Sequence, residues 1–201
     1  MPRPNREAEI RRAALSCFSR LGYDATRVKH IAAEAGVSDA ALYAHWKGKE
    51  ELAADIYAEG MRAYAGTIGE LAAQSERSVE ERLQAIARAS LALYRSEPEA
   101  WTFLIQGQGR FLGALEADFP YPIHAIERLI AEGQADGSVR AGDVRVLAGI
   151  ATGCFTYPVI VAIYARAGTI DPASSEQLIA EATWAAVRTR GRSASPTRRT
   201  R

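Results

Sequence analysis

Apolar residues recur at three- and four-residue intervals along almost the whole chain, and no stretch alternates as a strand would. Ile10, Ala14, Cys17, Phe18 and Leu21 form a first stripe, and Gly22 stands where that helix should end. The spacing predicts a second helix from about Val28 to Ala35, burying Val28, Ile31, Ala32 and Ala35, with Thr26 as its N-cap. Ser38 should cap a short third helix whose Leu42 points inward beside Val37 of the preceding turn. A fourth helix begins near Lys49 and continues through Leu52, Ile56 and Met61 toward Leu71.

The same spacing continues to the end. Ser78-Val79-Glu80-Glu81 is a capping-box pattern opening a helix through Tyr94, and Ser96-Glu97-Pro98-Glu99 repeats the signal. Trp101–Ile105 follows, with Gly107 and Gly109 loosening whatever helix continues to Leu115. Asp118–Pro122 is a break, after which Ile123, Ile126, Leu129 and Ile130 give a helix ending near Asp136-Gly137. Asp143 should cap a long apolar helix from Val144 to about Ala167, kinked at Pro158. Asp171-Pro172 opens the last helix, carrying Leu178, Ile179, Ala182, Trp184 and Val187. The prediction is an all-α chain of about nine helices. Residues 189–201 are polar and arginine-rich, a composition that cannot support a core, and are expected to be disordered.

At 201 residues, 48% of them hydrophobic and 24% charged, the chain is an ordinary globular protein with room for one domain or two small ones. No run of 18 strictly apolar, uncharged residues appears, so no membrane span is expected, and the first residues lack the apolar stretch of a signal peptide. Cys17 and Cys154 lie far apart in apolar helical patterns, as reduced core residues of a cytoplasmic protein would. The net charge of +1 hides a segregation: +3 over residues 1–50, −8 over 51–187, and six arginines without an acid over 188–201. A basic block beside an acidic body suits a polyanionic partner for the first block alone.

That first block contains the one strong motif. Two short amphipathic helices flank Gly36-Val37-Ser38, locked by Val28, Ile31, Ala32, Ala35, Val37 and Leu42, which is the pattern of a helix-turn-helix. At the start of the second of these helices, Ser38, Asp39 and Ala40 are short and allow close approach to base edges, while Tyr43, His45 and Lys49 suit phosphate oxygens.

The stretch Phe18 to Leu52, about 35 residues, resembles the DNA-binding domain of the tetracycline-repressor (TetR) family. The matching residues are Phe18, Gly22-Tyr23, Thr26, Ile31-Ala32, Ala35-Gly36-Val37-Ser38, Leu42-Tyr43, His45-Trp46 and Lys49-Glu50-Glu51-Leu52. His30 departs from a position where an acidic residue is common, and Trp46 replaces the usual phenylalanine. The remaining helices match the family only in number, length and order. The resemblance implies a homodimeric, ligand-responsive transcriptional regulator, usually a repressor, that binds operator DNA. Its reading head would be residues 1–50, its effector-binding and dimerisation domain 51–188. By position, Arg27 and Lys29 would approach the duplex, Ser38, Asp39, Ala40 and Ala41 would face bases, and Tyr43, His45 and Lys49 would hold the backbone.

In the body, small residues on the last two helices (Ala148, Gly149, Gly153, Ala182, Ala185 among them) would let two subunits pack closely. Tyr94, Trp101, Phe103, Phe111, Tyr121, His124, Phe155 and Tyr157, with Gln106 and Gln108, are candidates for lining an apolar effector pocket, Phe119 being a further aromatic. His30, His45 and His124 lack partners at ligand spacing, so neither a metal nor a cofactor is expected. The chain also lacks a nucleophile elbow, phosphate loop or dinucleotide fingerprint, and no catalytic residue is assigned. The rival reading is a dimeric helical bundle that binds other proteins through its acidic body and not DNA.

Overall fold

Helix ends in this chain fall where a side chain or a glycine takes up the backbone groups that a helix leaves free. The computed structural model describes residues 6–164 and 171–189. Among them nine α-helices follow in order: α1 (Arg6–Leu21), α2 (Val28–Ala35), α3 (Asp39–Tyr43), α4 (Lys49–Ala72), α5 (Val79–Ser96), α6 (Pro98–Phe111), α7 (Pro122–Ala135), α8 (Val144–Tyr164) and α9 (Glu176–Val187). Single 3-10 turns occupy Leu112–Ala114 and Pro172–Ser175. Gly22 (φ +81°) closes α1 and Gly36 (φ +66°) closes α2, both in the left-handed region that penalises a Cβ. Ser38 Oγ accepts the Ala41 N–H at 3.2 Å to open α3. Ser78 and Glu81 exchange hydrogen bonds of 2.9 and 3.2 Å to open α5. Asp143 accepts the N–H groups of Arg145 and Val146 at the start of α8.

Two expectations need correction. Thr26 does not cap α2; the N-cap is Arg27, whose N–H is accepted by His30 Nδ1 at 3.2 Å. An imidazole thus takes the part a glutamate plays in a capping box. The Thr26 hydroxyl is buried and committed elsewhere, to the carbonyls of Gly22 (2.7 Å) and Cys17 (3.2 Å). Ser96 likewise caps nothing ahead of it: its hydroxyl donates back to the Leu93 carbonyl, and Glu97 precedes α6 without a side-chain bond. Separately, α8 is long and apolar enough to cross a membrane by length and composition alone, with 28% of that window buried. Its glycines, threonines and tyrosines interrupt a strictly apolar run without adding a charge. The helix runs through Pro158 without a break in its assignment. The expected continuation to Ala167 and the arginine-rich tail from residue 190 lie outside the described residues.

Packing forms two hydrophobic clusters. One joins α1, α2, α3 and the first half of α4 to Phe103, Phe111 and Phe119. The other joins α5, α7, α8 and α9 to Ile68 and Trp101. α4 serves both, giving Leu52, Ile56, Tyr57 and Met61 to the first and Ile68 to the second. Cys17 and Cys154 are free thiols in different helices, and burial pushes both thiol pKa values up.

Arg82 of α5 is a buried cation, 3% exposed, paired through both terminal nitrogens with Glu132 of α7 and donating to the Ala72 carbonyl at the end of α4. Removing one member of such a pair leaves an uncompensated buried charge, whereas removing both does not. Glu132→Ala is expected to cost about 2 kcal/mol, below the value for a fully buried pair because the Glu132 side chain is half exposed. Adding Arg82→Met should recover most of that loss in urea unfolding; a double variant weaker than the single one would show that the pair is net stabilising.

Candidate nucleic-acid interface and ligand cavity

The turn between α2 and α3 is built from backbone. Gly36 N–H donates to the Ala33 carbonyl at 3.2 Å and Val37 N–H to the Ala32 carbonyl at 2.9 Å, so the chain reverses within three residues. Ile31, Ala32 and Leu42 are buried beneath it, and Val28, Ala35 and Val37 pack against the same core. With the apolar face fixed, Arg27, Lys29, Ser38, Asp39, Ala40, Tyr43 and His45 are exposed, and Ala41 and Lys49 are partly covered. Tyr43 is 55% exposed, an aromatic ring held out of the core.

Besides the Ser38 cap, His45 and Lys49 have side-chain partners elsewhere in the chain. His45 Nδ1 lies 3.0 Å from Glu7 Oε1. Lys49 Nζ donates to the Tyr23 carbonyl at 2.9 Å and sits 4.3 Å from the centre of that ring. Behind the exposed face, Trp46 is 5% exposed and its indole N–H donates to Asp55 at 2.8 Å. Asp55 also pairs with Arg11 at 2.6 Å, and Arg11 with Glu59 at 2.6 Å. This chain of contacts fixes the end of the recognition segment to α1 and α4. Sequence reading did not find it because Arg11 and its acids lie 44 and 48 positions apart. The nearest signal was Trp46 itself, whose indole offers a donor that phenylalanine lacks.

The helix-turn-helix meets the body through aromatic rings. Phe18 stacks on Phe103 at 5.1 Å and 14°, and Tyr23 meets Phe111 edge-on at 5.5 Å. Tyr57 of α4 lies against Phe111 at 5.4 Å. Gly107 is what lets α6 sit so close: a Cβ there would stand 3.0 Å from both Tyr57 and Phe111. Arg110 adds an ion pair with Asp24 at 3.0 Å and covers the Tyr23 ring at 4.5 Å.

On its other side, α6 borders a cavity of about 210 Å³ shared with α4, α7 and α8. Of the eight residues expected to line a pocket, Trp101 and Tyr121 do so, together with Gln108. Phe103 and Phe111 belong to the aromatic contact with α1. Phe155 is fully buried in the second core and Tyr94 packs against it. His124 is exposed and stacks edge-on against Tyr121 at 5.6 Å, while Tyr157 is 65% exposed on α8. Tyr64, Ile105, Thr152 and Thr156 complete much of the wall without having been singled out. They lie on helix faces whose patterns look like ordinary core.

Five of the eight exposed large apolar side chains among the described residues lie on the last two helices. Val146, Ile150, Tyr157 and Tyr164 share one face of α8, and Leu178 continues onto α9, which packs beside it. Gly149 and Gly153 on α8 have open space where a Cβ would stand.

Part of the chain matches a known family, and its fold is found in solved structures. Residues 10–56 match the family model for bacterial regulatory proteins of the tetR family. No curated protein matches the chain. Among solved structures, the TetR family transcriptional regulator PfmR from Thermus thermophilus is 18% identical, covering 88% of this chain and 97% of that one, with a TM-score of 0.71. FadR from Bacillus subtilis, solved in complex with stearoyl-CoA, is 19% identical over 89% of this chain and 98% of that one (TM-score 0.71). SmeT, the repressor of the Stenotrophomonas maltophilia efflux pump SmeDEF, is 22% identical over 92% and 91% (TM-score 0.71). These likenesses establish a shared fold.

The Tyr64 hydroxyl in the cavity wall bonds Ser90 Oγ at 2.9 Å, and burial pushes its pKa up to about 12. A folded value above the unfolded one, about 10, means stability that is complete below pH 10 and is lost as pH rises toward 12. The stability of the native chain relative to Tyr64→Phe is expected to fall by about 1.4 kcal/mol per pH unit across that window. Urea unfolding at pH 9, 10 and 11 checks this; parallel curves for the two proteins would mean that Tyr64 ionises freely.

Proposed function

We propose that this chain, whose residues 10–56 match the family model for bacterial regulatory proteins of the tetR family, is a ligand-responsive transcriptional repressor. The match of residues 10–56 to that family carries the reading, and the exposure of Tyr43, Arg27 and Lys29 on the matched segment supports it. Residues 1–50 form the reading head and 51–188 the effector-binding and dimerisation body, with no catalytic activity and no cofactor. It acts in the cytoplasm as a homodimer on a pseudo-palindromic operator, each head placing residues 38–45 in a major groove.

Within the head, Ser38, Asp39, Ala40 and Ala41 are too short for long-reach contacts and bring the backbone close to the bases. Arg27 and Lys29 supply the longer reach. Tyr43, His45 and Lys49 hold phosphates and fix register; His45 exchanges the Glu7 carboxylate for a phosphate oxygen. Two heads need a dimer, and the apolar stripe of α8 and α9 is the surface for it. Contiguous exposed apolar surface beside small residues suits a second copy of the same face across a twofold axis.

The effector enters the cavity beside α6. One side of α6 lines that cavity through Trp101, Leu104, Ile105 and Gln108, and the other carries Phe103 and Phe111 against the head. A ligand that fits better when α6 is displaced shifts the heads to a spacing that no longer matches the operator.

Tyr43→Ala is expected to weaken binding to specific and random duplexes alike, by roughly tenfold. Arg27→Ala should instead cost about 1–3 kcal/mol on the preferred sequence and relax selectivity there. Fluorescence anisotropy against the gene's own upstream region at two salt concentrations separates these; unchanged binding in both variants would show that the head is misplaced. The absence of any retarded DNA at low salt would favour the protein-binding bundle.

Ile150→Asp should turn the dimer into a folded monomer, since it sets a charge on each side of the proposed axis. Sedimentation velocity with circular dichroism reads both properties, and a dimer that persists unchanged would move the interface elsewhere.

A further inference from the structure

Arg27 stands where the turn after α1 enters α2, and its backbone groups are all engaged. Its N–H donates to His30 Nδ1 at 3.2 Å. Its carbonyl accepts the N–H groups of His30 (2.9 Å) and Ile31 (3.3 Å). Just ahead, Thr26 is 1% exposed and bonded to the carbonyls of Gly22 and Cys17. The Arg27 side chain, by contrast, is exposed and caps nothing. A fixed backbone with a free guanidinium suits a residue that reaches a base edge from a set origin.

One of those bonds depends on charge. An arginine side chain has no acceptor, so Arg27 cannot cap α2 as serine, threonine or aspartate would. The cap comes instead from His30, and an imidazole nitrogen accepts an N–H only while its lone pair is free. Protonation turns both ring nitrogens into donors and sets two N–H groups against each other. It also places a cation at the positive end of a helix. Both effects open the cap, and imidazole is the side chain that changes charge between pH 5 and 8.

The other charged and titratable groups around α2 are Arg27, Lys29 and Glu34 on the helix itself and Asp24 in the turn before it. From α1 come Glu9, Arg12 and Arg20, and from α3 Asp39 and Tyr43. Glu34, one turn beyond His30, is bonded to Arg20 at 2.8 Å, and Asp24 to Arg110 at 3.0 Å, so each of these two acids already holds a cation.

Resting on the regulator reading above, we propose that His30 is a positioning residue for the base contact of Arg27, and that operator selectivity falls when His30 is protonated. Neutral His30 holds the Arg27 backbone and the first turn of α2; the imidazolium releases them, and Arg27 reads its base less sharply. The added charge favours every duplex alike, as do the phosphate contacts elsewhere in the head. The ratio of operator to random-duplex affinity therefore isolates the effect of the cap.

Fluorescence anisotropy of the full chain at pH 8.0 and 5.5, with the gene's own upstream region and a random duplex, measures that ratio. His30→Gln keeps an acceptor for the Arg27 N–H and does not titrate, whereas His30→Ala has no acceptor. At pH 8.0 the native chain and His30→Gln are expected to agree within about twofold, with His30→Ala about fivefold less selective. At pH 5.5 the native chain should fall about fivefold below His30→Gln, since titration elsewhere, His45 included, is common to both. In the native protein without DNA, the Arg27 amide proton should move upfield as the His30 ring titrates, a readout that needs no variant to fold. The same native-to-glutamine ratio at both pH values, equal selectivity of the alanine and glutamine variants, or an Arg27 amide indifferent to His30 would each overturn the proposal. The regulator reading fails differently: no protein of the set then prefers the upstream region at either pH. The DNA role of His30 falls with it, while the Arg27 amide still reports whether the cap opens on protonation.

Discussion

Phe18 of the first helix lies flat against Phe103 of the sixth at 5.1 Å, and this stacked pair is the contact on which the arrangement of the chain depends. Around it, Tyr23, Tyr57 and Phe111 close an aromatic cluster that belongs to neither half of the chain alone. Aromatic pairs of this kind add specific geometry to the area they bury, so they set an angle as well as an affinity. The helix-turn-helix is therefore seated on α6 in a definite orientation instead of swinging from the start of α4. Gly107 is the concession that makes this seating close, since any side chain there would collide with two of the rings.

α6 is a helix with two occupied sides. Its buried rings face the head, and Trp101, Leu104 and Ile105 face the cavity on the other side. Tightly packed interiors transmit displacement because there are few voids to absorb it. A change in what fills the cavity has a short mechanical route to α1. The rim of the joint is polar, with Arg110 bonded to Asp24 and Lys49 lying over Tyr23, so its strength varies with salt while the ring contacts do not.

α8 shows how one composition can answer two different constraints. By length and apolarity it could cross a membrane, yet its buried residues (Leu147, Ala148, Ala151, Phe155, Val159) pack into the second core beside α9. The residues between them form the exposed stripe that the proposed dimer covers. A helix buried on one side by its own chain and on the other by a second copy needs apolar residues all round, which removes the one-sided pattern of a surface helix.

The sequence by itself determined the helices, their order and most of their ends. Those features depend on spacing within a few residues: the capping pair Ser78 and Glu81, Ser38 ahead of α3, and the left-handed glycines 22 and 36. It also determined the turn of the helix-turn-helix, because Gly36, Val37 and Leu42 act on immediate neighbours. Thr26 and Ser96 escaped that reading since a hydroxyl can bond backward as easily as forward, and only the folded backbone decides which. The tertiary structure alone decided which aromatics line the cavity. Phe103, Phe111 and Trp101 occupy one helix with similar spacing, yet two face the head and one faces the cavity, because α1 and α7 approach α6 from different sides. It likewise decided that Trp46, Asp55, Arg11 and Glu59 form one network, a relation between distant positions that carries no local signature.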